Sequence, residues 1–182
     1  GSAGAVSYSG VNMTNGISRR TLFSDSPENI SGSNKPNGYL AGTTFSANER
    51  MDFEFYHHNY TGMTKRFGIV VQNGNSTAVT LTLHNKAIGT SNPGAAAELL
   101  MTAPVACNFF KSTATTVTIP AKSSRFVLYS DVPKDKLVNG KLSMTSSKAV
   151  YMPALYMAIP LRRQVPTLLR NINIQCQQIA NT

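Results

Sequence analysis

From Met51 to His58 the chain alternates without a break, with Met51, Phe53, Phe55 and His57 in one set and Asp52, Glu54, Tyr56 and His58 in the other. Period-two alternation with the apolar residues on one side is the signature of a strand with one buried face. A helix over the same residues would scatter those apolar side chains around its circumference. The alternation returns in Ala78–Ile88, where Val79, Leu81 and Leu83 interleave with Thr80, Thr82 and His84. Between the two runs, Arg66–Asn73 carries Phe67, Ile69, Val70 and Val71, a short apolar run suited to a buried strand. Asn73-Gly74-Asn75-Ser76 separates this run from the next, and two strands around an Asn-Gly turn predict an antiparallel hairpin.

Further strands are expected at Tyr39–Phe45, Thr115–Pro120, Ser124–Asp131, Gly140–Thr145 and Ala149–Ala158, with Pro153 marking an edge position or a bulge in the last. Residues 10–48 are rich in Gly, Ser, Asn and Pro and read as turns and long loops around one or two short strands. One helical stretch stands out, Ala95–Ala103, with Asn92 as N-cap, Pro93 at the first helical position and Pro104 as the stop. The expected fold class is therefore mainly β: an antiparallel β-sandwich of about eight strands, joined mainly by hairpin-like links, with one short inserted helix.

At 182 residues the chain holds one full core. Residues 1–4, Gly-Ser-Ala-Gly, read as a cloning scar, residues 5–160 as the sandwich domain and residues 161–182 as a C-terminal extension packed on it. In that extension Val165, Leu168, Leu169, Ile172, Cys176 and Ile179 fit a helical stripe, while Ile172, Ile174 and Cys176 equally fit a strand. No run reaches the roughly 18 apolar residues of a membrane span.

The net charge of +9 owes as much to scarce acids as to abundant bases. Such a chain attracts anionic polymers, including teichoic acids, acidic glycans and nucleic acids. The bases are scattered, with short pairs only at Arg19-Arg20, Lys65-Arg66 and Arg162-Arg163, so neither the one-sided charge nor the interleaved aromatics of a specific nucleic-acid binder is present. Cys107 and Cys176 admit two readings, one disulfide closing a long loop or two separate buried thiols. Neither has a Cys or His partner at zinc-ligand spacing, and no metal or cofactor is expected.

The candidate binding residues are Asp52, Glu54, Tyr56 and His58 on the polar face of one strand, with Tyr60 just beyond. Acids two apart on a strand lie about 6.6–6.8 Å apart, a separation shared by inverting glycosidases and by any exposed strand with two acids. His57 and His58 point to opposite faces, so they do not chelate one metal, and His57 reads as a structural histidine at the core edge. His84 could join one of them only from an adjacent strand. No nucleophile elbow, phosphate-cradling loop or His-Glu-x-x-His motif occurs, and with eight acids and three histidines the supply of acid–base groups is small. No catalytic residue is assigned. Trp is absent, so sugar stacking would fall to Tyr8, Tyr39, Tyr56, Tyr60, Tyr129, Tyr151 and Tyr156. Asn-x-Ser/Thr sites at Asn12, Asn29, Asn59 and Asn75 are about as frequent as chance gives in so polar a chain.

The run Phe55-Tyr56-His57-His58-Asn59-Tyr60-Thr61-Gly62, followed by Arg66–Asn73 and Ala78–Thr90, resembles a β-sandwich domain of secreted Firmicute proteins found beside stalk or amine-oxidase-N-terminal-like repeats. The resemblance covers about the middle half of the chain. It implies a cell-surface or envelope-associated module and carries over no copper or topaquinone chemistry, because no residue matches such a motif. The expectation from sequence is a non-enzymatic module of a secreted or cell-surface bacterial protein, with a structural or assembly role, pairing with protein partners through edge strands, or weak polyanion binding. The alternative is a carbohydrate-binding module of a larger extracellular enzyme.

Overall fold

The computed structural model describes residues 19–25, 29–31 and 37–159. Ten strands and one helix occur among them: β1 (Arg19–Ser24), β2 (Asn29–Ser31), β3 (Asn37–Phe45), β4 (Arg50–Tyr60), β5 (Lys65–Asn73), β6 (Val79–Ser91), α1 (Ala95–Lys111), β7 (Thr115–Ile119), β8 (Ser123–Val132), β9 (Leu137–Ser146) and β10 (Val150–Ala158). They form two sheets, one ordered β1-β4-β9-β6-β7 with β2 also beside β4, the other β3-β10-β5-β8. The mainly β sandwich with one helix is thus present. Residues 1–4 and 161–182, and with them Tyr8, Asn12 and Cys176, lie outside the described residues.

The alternation in β4 does what it promises. Met51, Phe53 and Phe55 are buried between the sheets against Phe67 and Ile69 of β5 and Leu142 and Met144 of β9, while Asp52, Glu54 and Tyr56 face outward and are half-covered. Burying side chains of this size is the main stabilising term, at roughly 1.5–3 kcal/mol each.

The links between strands differ from expectation. β5 and β6 do not form a hairpin: they lie in opposite sheets, and Gly74–Ala78 carries the chain across the sandwich. From β3 onward every step changes sheet except β6 to β7, where α1 intervenes, which is the connectivity of an eight-stranded jelly roll. The physical reason lies in β5 and in Asn73. β5 is buried on both faces and pairs with β10 on one side and β8 on the other, so it has no edge left for β6. Asn73 then turns the chain: its amide donates to the carbonyls of Thr77, Ile119 and Pro120 at 2.9, 3.1 and 3.0 Å, and its Oδ1 accepts from the backbone N–H of Asn75 at 2.9 Å.

The opposite end of the sandwich repeats this clasp. Asn59 donates to the carbonyls of Met63, Val132 and Pro133 at 2.9, 2.9 and 3.3 Å, and accepts from the N–H and hydroxyl of Thr61 at 3.1 and 2.6 Å. Each clasp ties an outgoing crossing to a returning one, Ile119-Pro120-Ala121-Lys122 at one end and Val132-Pro133-Lys134-Asp135 at the other. The last residue of each sits in the left-handed region, at φ 54 for Lys122 and φ 62 for Asp135.

Two further expectations are corrected. Pro153 does not mark an edge strand, because β10 lies between β3 and β5; the bulge reading survives beside it, between Ala154 and Leu155. The helix does not stop at Pro104 but runs on to Lys111, and it starts after Gly94 (φ 114), not at an Asn92 cap. Pro104 removes the hydrogen bond to the Leu100 carbonyl. Leu100 lies on the solvent side, where water replaces that bond, while Met101 and Val105 bury against Leu137, Tyr56 and Ala87 and hold both halves of the helix on the sheet. Cys107 is exposed on this helix, which corrects the buried-thiol reading for that residue.

Candidate functional site

The outward residues of β4 were the expected binding face, and the structure gives Tyr56, Glu54 and His58 local contacts. Tyr56 donates its hydroxyl to the Glu98 carboxylate on α1, whose other oxygen accepts the Gly94 N–H at 3.0 Å. Glu54 accepts from the Asn139 amide at 3.1 Å and lies 3.7 Å from the Lys141 ammonium. His58 is buried, not outward, because β2 pairs alongside it and its ring lies against Tyr60 with centroids 3.8 Å apart. Tyr60 is exposed. Asp52 and Tyr60 lie eight residues apart along β4, about 26 Å at ~3.3 Å per residue, so the five residues are not gathered into one pocket. His57 is fully buried and shares a 3.0 Å hydrogen bond with Ser24.

Asp52 instead joins groups that sequence reasoning did not connect with it. Arg50 Nε donates to the Ser143 hydroxyl at 2.8 Å, and His84 Nε2 shares a 3.0 Å hydrogen bond with the Thr145 hydroxyl. β6 is separated from β4 by β9, so His84 is not beside His57 or His58. Burial pushes the His84 imidazole below its usual range, the Arg50 charge pushes it further, and Asp52 opposes both. These are hydrogen-bonded groups in mid-strand on a sheet face. Among the described residues no group of three His, Cys, Asp or Glu side chains is placed to hold a metal ion.

The tyrosines are dispersed. Tyr156 stacks on Phe67 inside the core, centroids 5.5 Å apart. The other face of the second sheet carries Tyr39 and Tyr151, whose hydroxyls lie 2.8 Å apart, and Tyr129, which has the Arg66 guanidinium 4.2 Å above its ring. Arg66 in turn binds Asp131 through two bonds of 2.7 and 3.1 Å. The signal for this second face was present in β5 and β10, whose apolar residues fall on both parities.

The most distinctive electrostatic feature lies at the Asn73 end. The loops at 74–78, 120–122 and 147–149 contain Lys122 and Lys148 and no Asp or Glu. Both ammonium groups donate to neutral oxygens of one loop, Lys122 to the Gly74 carbonyl and Lys148 to the Thr77 hydroxyl. The loops are fastened to each other: the Asn75 amide donates to the Ala149 carbonyl at 2.8 Å and the Lys122 N–H to the Asn75 carbonyl at 3.2 Å. The adjoining loop at 46–49, whose Asn48 N–H donates to the Ser146 carbonyl at 2.8 Å, carries Glu49, which Arg20 engages through bonds of 2.8 and 2.9 Å that hold its carboxyl below the usual range. At the Asn59 end, by contrast, Asp135 stands between Lys134 and Lys136.

No protein family, curated protein or solved structure matches this chain.

Proposed function

We propose that the chain is a non-catalytic module of a secreted or cell-surface protein that contacts anionic polymer through the Asn73 end of the sandwich. The observation that carries the reading is the acid-free loop cluster holding Lys122 and Lys148 over Gly74–Thr77. Two cations on loops fastened by backbone and amide hydrogen bonds form a preorganised anion contact, with little side-chain ordering left to lose on binding. The same balance that gives +9 overall supports it, since Glu49, Glu54 and Asp131 are neutralised by Arg20, Lys141 and Arg66 within the fold. The non-catalytic part is supported by the engagement of Tyr56, Glu54 and His58 in local contacts.

The test is retention on a phosphodiester polymer such as teichoic acid, and on a neutral insoluble polysaccharide, between about 50 and 200 mM salt. Retention on the polyanion should fall steeply with salt, and Lys122→Ser with Lys148→Ser should reduce the logarithmic salt slope by roughly 1.4–1.8, about 0.7–0.9 for each lost phosphate contact. An unchanged slope in the double variant would refute the site. Salt-resistant retention on the neutral polysaccharide would replace the reading with glycan stacking on exposed rings such as Tyr39, Tyr60 and Tyr129.

A further inference from the structure

The two sheets do not close along one side of the sandwich. β7 pairs only with residues 79–83 of β6, so residues 85–91 of β6 keep a free edge, and β8 pairs on one side only, with β5. Between these edges lies a groove of about 510 Å³. Each edge strand carries a bulge where it borders the groove. In β6 the register slips between Leu83 and Asn85. Leu83 is buried in the core, Asn85 reaches outward to the Phe109 and Ser112 carbonyls at the end of α1, and Ile88 packs inward again. Lys86, two residues before Ile88, shares its inward side; without the bulge at His84 it would fall on the outward side. In β8 the register slips at Val127, and Val127 and Leu128 both join the core.

The bulges therefore give the groove aliphatic walls, Leu83, Ile88, Val117, Val127 and Leu128, and Lys86 is the one charged side chain that lines it. Lys86 is exposed, and among the described residues no acid pairs with it. We propose that this groove binds an aliphatic carboxylate, its acyl chain between the sheets and its head on the Lys86 ammonium. A single cation matches a head of one negative charge, whereas a doubly charged phosphate monoester would leave half its charge unmatched beside an apolar wall. The volume falls within the range of small-molecule sites and holds at most ~17 non-hydrogen atoms at about 30 Å³ each, which suits a chain of medium length. The groove shares no residue with the polyanion contact at Lys122 and Lys148.

The test titrates the full chain with dodecanoate, kept below its micelle-forming concentration, and follows methyl NMR signals. Those of Leu83, Ile88, Val117, Val127 and Leu128 should shift, while those of Leu155 and Met157, on the outer face of the four-stranded sheet, should not. Lys86→Met keeps the apolar stem and removes the charge; it should weaken dodecanoate about fivefold, as loss of a good exposed ion pair does, and leave dodecanol binding unchanged. Lys86→Glu should reverse the preference, taking dodecylammonium over dodecanoate. The unliganded methyl spectrum shows that each variant keeps the fold. Equal dodecanoate affinity in the parent chain and Lys86→Met would overturn the proposal, as would shifts confined to Leu155 and Met157. Absence of any shift would overturn it too, and would leave Lys86 as an inward charge that keeps the free edges from pairing with other chains.

Discussion

Asn59→Ala is the substitution from which the fold makes its sharpest demand. The Asn59 side chain is fully buried and makes five hydrogen bonds, three of them wholly out of water: to the Val132 carbonyl and from the Thr61 N–H and hydroxyl. Each buried bond contributes about 1 kcal/mol net, and a carbonyl or N–H left buried without a partner costs about 1–3 kcal/mol more. The expected loss is about 3–5 kcal/mol, or roughly 6–20 °C in Tm at about 2–4 °C per kcal/mol for a chain of this size. Asn75→Ala is the control, because its bond to Asn73 is only part-buried and its bond to Ala149 is exposed, and together they should be worth about 1 kcal/mol. Urea unfolding followed by tyrosine fluorescence and far-UV dichroism, with m unchanged, measures both. A loss below about 1 kcal/mol for Asn59→Ala, or one equal to the control, would refute the view that the clasps hold the crossings.

Other expectations follow from single contacts. Gly68→Ala would place a Cβ 2.5 Å from the Leu128 carbonyl oxygen, a backbone atom, so thermal unfolding should show a loss of about 1–3 kcal/mol, whereas Gly74→Ala meets nothing within 4 Å. The fold favours neutral His84, so its contribution is present above the usual imidazole range and is lost as pH falls through the lowered folded value; urea midpoints below pH ~6.5 should drop, and His84→Gln should flatten that drop. The Glu49 carboxyl is held low mainly by Arg20 and further by the Ser46 N–H, so its contribution is present above the usual Glu value near 4.3 and is lost as pH falls below it; Arg20→Gln should shrink this acid limb of the stability profile.

How far these features could be read from the sequence depends on the range of the interaction that sets them. Strand positions were legible because alternation is local: Met51, Phe53 and Phe55 announce a buried face whatever lies opposite. Pairing was not. Asn73-Gly74 is compatible with a two-residue turn, and what overrides it is distant in sequence, the carbonyls of Ile119 and Pro120 that accept from Asn73. Helix length failed for a related reason, since Pro104 is a stop only where the freed Leu100 carbonyl would be buried. For the candidate site, the outward face of β4 was legible and its fate was not: Glu98 and Lys141, which engage Tyr56 and Glu54, sit on elements whose docking no local pattern reveals.

The two clasps show where this chain specifies its topology. Each consists of an Asn at the end of a strand, an acceptor-rich loop reaching the carbonyl four residues on, and a Pro-containing return turn closed by a residue at positive φ. They stand at opposite ends of β5, at its entry from β4 and its exit to β6, so together they oblige β5 to lie in the sheet opposite both neighbours. Once β5 is placed there, β8 is drawn beside it by the returning turns, and β9 and β7 are delivered to the sheet of β4 and β6. A hairpin between β5 and β6 would satisfy one turn while leaving Asn73 without the Ile119 and Pro120 carbonyls. Buried amide groups impose that kind of all-or-none choice because an unmet bond in the interior costs more than a met one contributes.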